Sequence, residues 1–281
     1  MSELKGIERF FKVEWMDRSV FTIRYPLEGP SKGTVLILHG LGDHSGRYSW
    51  AVDLLHRSGF EVLGIDWPGC GKSSGIRGDL PLVEDAGRMI GEILEELKLS
   101  PVGVLAHSTG GFFLSQFLSN SLPAFSSLEW IWFSSPLLDP SYGQSRVKMK
   151  AAKLLAKWIP AFTISTGVSP RDCFHTLGDA RAREFAEGVH NRISLRFGEH
   201  LLDPEKEAIN VAGSLDPDLP VLLTVGSADH VCPASVAEVF FNELRSRAKV
   251  FVLVSGSRHE PFREPDSAAF FSAVRTWLAA R

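Results

Sequence analysis

The 281-residue chain is poor in the features that would assign it at a glance. It has three cysteines, Cys70, Cys173 and Cys232, too few and too scattered for a disulfide framework or a zinc site. No His/Cys/Asp/Glu spacing suggests a metal, so neither metal nor cofactor is expected. No charge dominates: 30 basic residues face 33 acidic ones, for a net −3. Without a global basic field, nucleic acid is excluded as a partner. No apolar run approaches the ~20 residues of a membrane span; Val35 to Leu38 and Val250 to Val254 are typical of what is present. The opening MSELKGIERFF is charged and lacks an apolar core, so no secretory leader is expected. Repeats and low-complexity tracts are missing as well. The expectation is a cytoplasmic protein of a reducing compartment, with peripheral membrane contact left open. The sequence leaves the oligomeric state undetermined.

What remains is an ordinary globular composition, 44% hydrophobic and 22% charged, long enough for one large domain with an insertion or about two domains. Near the start, Phe11, Val13 and Trp15 share one side, and Val20, Phe21, Ile23 and Tyr25 follow Asp17-Arg18. This predicts an antiparallel hairpin. From Thr34 the strands read as continuous apolar runs, TVLILHG, EVLGIDW, VGVLAHS, WIWFSS, VLLTVGS and KVFVLVSGS, which suits strands covered on both faces. Helical periods separate them over 46–58, 82–98, 110–119, 234–245 and 266–279. The alternation predicts an α/β fold, a mostly parallel sheet with helices on both faces, with binding groups at the C-terminal ends of the strands. It breaks over 137–210, which shows no convincing strand and one long helical segment, about 143–159. That stretch is too long for an ordinary connection. The organisation expected is a core of 1–136 and 211–281 under a helical cap of 137–210.

The sharpest local signal is Ala106-His107-Ser108-Thr109-Gly110-Gly111, placed between a strand and a helix. A nucleophile elbow needs that context, with small residues two before and two after the serine. Alanine at 106 departs from the usual glycine, and alanine tolerates unusual backbone less well. Ser108 needs a base and the base an orienting carboxylate. His259 follows the last strand and Asp229 the one before it, giving the chain order Ser, Asp, His expected of successive strand ends. An oxyanion hole needs two main-chain donors, each worth ~3–4 kcal/mol of barrier. The Thr109 N–H at the helix start and the Leu41 N–H in His39-Gly40-Leu41-Gly42 are the candidates.

These segments resemble a known family. His39-Gly40-Leu41-Gly42-Asp43-His44-Ser45-Gly46-Arg47-Tyr48 is similar to the HGxGxHSxRY segment of monoacylglycerol lipases and related bacterial lysophospholipases in the α/β-hydrolase superfamily. Asp66 to Gly75, the AHSTGG elbow, Ser134-Ser135-Pro136, Gly226-Ser227-Ala228-Asp229 and Arg258-His259-Glu260 match in the same order. The resemblance implies the α/β-hydrolase fold with a helical cap. It implies Ser108 as nucleophile, Asp229 and His259 as its partners, and the Leu41 and Thr109 amides as oxyanion donors. The activity implied is hydrolysis of single-chain lipid esters through an acyl-enzyme.

Other readings stay open at this point. The same triad serves short-chain esterases, thioesterases, peptidases and C–C hydrolases, and a non-catalytic ligand-binding protein can share the fold. Gly69-Cys70-Gly71-Lys72-Ser73 is an incomplete phosphate loop: Asp66 stands where its first glycine belongs. His39 and His107 are expected in structural hydrogen bonds, and Cys232 near the site. The stretch 143–159 carries Arg146, Lys148, Lys150, Lys153 and Lys157 without an acidic residue, a pattern compatible with an anionic membrane surface. The favoured reading is a cap helix whose apolar face covers the substrate, with Leu154, Leu155, Trp158 and Phe162 beside the acyl chain.

Overall fold

The computed structural model describes residues 5–175, 188–203 and 211–281. Its strands are β1 (Ile7–Val13), β2 (Arg18–Tyr25), β3 (Thr34–Leu38), β4 (Glu61–Ile65), β5 (Pro101–His107), β6 (Trp130–Ser134), β7 (Thr163–Ser165), β8 (Arg192–Ser194), β9 (Val221–Gly226) and β10 (Lys249–Val254). Eight form one sheet in the order β1-β2-β4-β3-β5-β6-β9-β10. Only the β1–β2 and β2–β4 pairings are antiparallel; the others are parallel.

The apolar runs form strands because both faces are covered. Along β3, Leu36 and Leu38 enter one core with α2 (Val83–Leu97) and α3 (Thr109–Ser119), while Val35 and Ile37 enter another with α1 (Ser49–Arg57). Strands β5, β6 and β9 alternate in the same way, so no position on them needs to be polar. Each such buried side chain contributes roughly 1.5–3 kcal/mol of transfer free energy. In α2, Val83, Ala86, Met89, Ile90, Ile93 and Leu94 make the buried stripe, and Lys98 in the left-handed region ends the helix. The mostly parallel sheet with helices on both faces is the one that the strand–helix alternation predicts, and it is the α/β-hydrolase fold that the resemblance implies.

Two readings of the sequence change. The hairpin forms, but Trp15 does not share the side of Phe11 and Val13. It lies in a one-turn 3-10 helix, exposed, with Nε1 donating to Glu92. The insertion after β6 also contains strand: β7 and β8 pair antiparallel as a separate two-stranded sheet. Three residues each is too short to leave a periodic trace. Around them lie α4 (Arg146–Ala156), α5 (Pro170–Cys173) and α6 (Leu195–Leu201). Positions 176–187 and 204–210 of the expected cap, its boundary at 210 included, lie outside the described residues. So do the side chains of Arg146 and Lys148.

The insertion is seated from one side. Phe197 of α6 is fully buried and stacks on Phe113 of α3. Arg196 pairs with buried Asp79 through two bonds of 2.6 and 2.7 Å. By contrast Val147, Leu154, Leu155, Trp158, Ile159 and Phe162 are exposed, Trp158 at 81%. The apolar face of α4, expected over the substrate, is open.

Candidate active site

Ser108 stands between β5 and α3 with φ 52° and ψ −120°. A non-glycine residue held there stores ~1–3 kcal/mol of strain. The neighbourhood enforces it. Ser108 N–H donates to the Ser134 carbonyl, and the Ser108 carbonyl accepts from Gly111 and Leu137 N–H. A Cβ on Gly110 would stand 2.1 Å from the Leu38 carbonyl oxygen, and one on Gly111 2.5 Å from Pro136. Both positions therefore require glycine. Ala106 does not: it lies in the regular ladder of β5, between Leu38 and Phe133, without positive φ. The strain falls on the serine, so alanine at 106 is no disadvantage to the turn.

The loops after β9 and β10 meet beside this turn. His259 Nδ1 and Asp229 Oδ2 are 2.9 Å apart, both side chains buried. Asp229 Oδ1 accepts from the Val231 and Cys232 N–H groups, 2.8 Å each, which fixes the carboxylate. Burial pulls the His259 pKa down, but the Asp229 carboxylate outweighs it and holds it well above the ordinary 6.5. The Cys232 thiol follows on the same loop, beside the carboxylate that binds its main-chain N–H. Burial pushes that thiol upward, keeping it protonated.

The turn after β3 completes the neighbourhood. Asp43 N–H closes on the Gly40 carbonyl at 3.3 Å, with Gly42 at φ 73°, as a type II turn requires. A Cβ on Gly40 would stand 3.0 Å from Ser108 Cβ and 3.5 Å from its Oγ. The turn therefore lies directly against the serine. Among the described residues, neither the Leu41 nor the Thr109 main-chain N–H has a hydrogen-bond partner. Both are available to an incoming oxygen.

Behind the site runs a buried ionic network. Arg47 donates to Asp43 Oδ1 at 2.6 Å and to Glu260 Oε2 at 3.1 Å, all three side chains under 10% exposed. Tyr48 Oη donates to Asp43 Oδ2 at 3.0 Å. Against the cost of burial, Arg47 and the nearby histidines hold the Asp43 carboxyl far below the usual range. One guanidinium thus ties the turn bearing Leu41 to the residue following His259.

The rest of the chain matches this arrangement. Residues 29–266 fit the Hydrolase_4 family, described as serine aminopeptidase, S33. The chain belongs to that family of α/β-hydrolases. It is a serine hydrolase. The hydrolase is similar to the crystal structure of a Paleococcus ferrophilus monoacylglycerol lipase, with 32% identity, 93% of this chain and 98% of that one covered, and a TM-score of 0.81. It is 24% identical to a monoacylglycerol lipase of Mycolicibacterium smegmatis over 94% of this chain and 93% of that protein. It is 28% identical to an uncharacterized abhydrolase domain-containing protein of Dictyostelium discoideum over 88% of this chain, which spans 26% of that protein's length.

In the hydrolase, the histidines expected to be structural are so. His39 Nδ1 donates to the Gly40 carbonyl, its Nε2 accepts from Trp67 N–H, and His107 Nδ1 donates to the Ser134 carbonyl. Burial lowers the pKa of both. Lys72 pairs with Glu8 at 2.6 Å, and Asp66 closes its loop by accepting from Ser45 and Lys72 N–H. Among the described residues no group of three or more His, Cys, Asp or Glu is placed to hold a metal, and no helix is long and apolar enough to cross a membrane. Reading the sequence alone gave no role to Arg47 or Glu260. Both stood inside the matched motifs, but nothing local marks their partnership across more than two hundred residues.

Proposed function

We propose that the hydrolase cleaves single-chain carboxylic esters of lipids, monoacylglycerols or lysophospholipids, through an acyl-enzyme. The observation that carries this is the buried His259–Asp229 pair, with the His259 ring 4.9 Å from that of His107, the residue before a strained Ser108. In this reading Ser108 Oγ attacks the ester carbonyl while His259 Nε2 takes its proton. Asp229 holds the Nδ1–H tautomer and stabilises the imidazolium. The Leu41 and Thr109 amides hold the oxyanion. As the tetrahedral intermediate collapses, His259 gives its proton to the leaving alcohol. Water, deprotonated by the same imidazole, then releases the fatty acid and restores Ser108.

The lipid preference rests on similarity to monoacylglycerol lipases and on the insertion, which we read as a cap over 137–210. Its exposed apolar residues, from Val147 to Phe162, lie among the exposed Lys150, Lys153 and Lys157. An apolar patch rimmed by lysines suits the surface of an anionic bilayer. The proposal therefore includes peripheral contact of the cap with membrane, where the substrate resides.

The test is a panel of monoacylglycerols and lysophospholipids of graded chain length, run beside thioester and aminoacyl substrates because the family's description is that of a peptidase. Lipid esters should be turned over fastest, with Ser108→Ala inactive and unlabelled by a fluorophosphonate. Faster cleavage of aminoacyl substrates would overturn the ester reading; an active Ser108→Ala would overturn the site.

A further inference from the structure

Within the cap, the segment entering β8 crosses the turn that carries Leu41. His190 N–H donates to the Gly42 carbonyl at 2.9 Å. The His190 side chain reaches a second loop, with Nε2 2.9 Å from the Gly69 carbonyl oxygen, while Nδ1 lies 3.2 Å from the Arg192 N–H. A carbonyl only accepts and an amide N–H only donates. Nε2 therefore carries the hydrogen, Nδ1 is bare, and the imidazole is neutral with both nitrogens satisfied. Burial, which lowers the pKa of His190, favours the same state.

The approach is close enough to exclude side chains. A Cβ on Gly42 would stand 1.8 Å from the His190 carbonyl oxygen. Farther along the same segment, Ser194 N–H donates to the Gly78 carbonyl at 2.9 Å, and a Cβ on Gly78 would stand 2.2 Å from the Arg192 carbonyl oxygen. Cys70 lies beside this contact, its Sγ 3.7 Å from His190 Nε2. The Leu41 turn is thus held from the core side by Asp43 and Arg47, and from the cap side by His190.

We propose that His190 is a positioning residue for hydrolysis: supplied by the cap, it fixes the turn that presents the Leu41 N–H, so that oxyanion stabilisation depends on the cap being seated. This rests on the reading of Leu41 as an oxyanion donor. His190 touches no reacting atom. Its effect passes through the Gly42 carbonyl, with the ring held in place by the Gly69 carbonyl.

The experiment compares wild type with His190→Ala, His190→Gln, His190→Asn and Ser108→Ala on a short soluble ester. The readouts are kcat, KM, the rate of fluorophosphonate labelling and the thermal unfolding midpoint. Displacing a catalytic group by about 1 Å can cost ~100-fold. His190→Ala should therefore lose roughly 10- to 100-fold in kcat and in labelling rate, with KM little changed. Glutamine places an amide nitrogen near the position of Nε2 and should recover most of the rate. Asparagine, too short to reach Gly69, should not. A purely structural tie would lower the unfolding midpoint and leave kcat per folded molecule intact; that result, with Ser108→Ala inactive, overturns the proposal and leaves the site standing. Activity in Ser108→Ala would remove the site and the proposal together. Should the alanine variant not fold, the glutamine–asparagine pair decides, and equal kcat in both overturns the proposal.

Discussion

Residues 34–38 and residues 147–164 are both rich in apolar side chains, yet they meet opposite fates. Every residue of β3 is buried, because helices cover both faces of the sheet. Val147, Leu154, Trp158 and Phe162 face outward, because the insertion has the core on one side only. The insertion is tied down by Phe197, by the Arg196–Asp79 pair and by main-chain bonds at Gly42, Gly78 and Cys173. The division of labour follows. Polar residues at the strand ends are backed by a packed core, and the exposed apolar surface stands on the insertion.

That contrast can be broken first at the sheet. Asp229→Asn should reduce turnover ~10,000-fold, the scale seen when a triad loses its orienting carboxylate. The same variant has a pH signature. The imidazole must be neutral to take the Ser108 proton. A pKa held above 6.5 by Asp229 places the acid limb of kcat/KM above that pH in wild type. Removing the carboxylate should move the limb downward. An unmoved limb would show that Asp229 does not set the proton affinity of His259.

A smaller effect is expected behind the site. Arg47→Leu leaves Asp43 and Glu260 buried without their shared cation, and breaking such a pair costs about 3–5 kcal/mol. Arg57→Ala, which loses an exposed pair with Asp53, should change stability by under ~1 kcal/mol. Chemical denaturation of the two variants measures the difference directly; equal losses would mean the buried network carries no special weight.

The smallest effect belongs to the cap surface. Lys153→Glu with Lys157→Glu should weaken binding to anionic vesicles by ~1 kcal/mol per basic charge removed. Binding to zwitterionic vesicles and turnover of a soluble ester should hold. Unchanged retention on anionic vesicles would remove the lysines from membrane contact.

The same contrast governs what could be read in the sequence. The parallel strands were legible because burial on both faces leaves an unbroken apolar run. Ser108, Asp229 and His259 stand out in the sequence as polar residues at strand ends, and the structure brings Asp229 to His259. The insertion leaves a weaker trace in the sequence. Its strands are three residues long, and Leu154, Leu155, Trp158 and Phe162, expected along the acyl chain, are exposed. Ala106 departs from the usual glycine without consequence for the turn, because it sits in ordinary strand geometry and the unusual dihedrals belong to Ser108 itself. Arg47 and His190 act through partners far away in sequence, and such pairings have no period to detect.

Gly42 and Gly78 carry a consequence for engineering. Where they meet residues 190–193, two main chains pass with nothing between them, so this seam behaves as a fitted joint and not as an adhesive surface. A lid transplanted from another hydrolase to alter chain-length selectivity would have to bring a backbone of the same contour there. A graft made without regard to that seam should fold onto the sheet yet leave the enzyme slow.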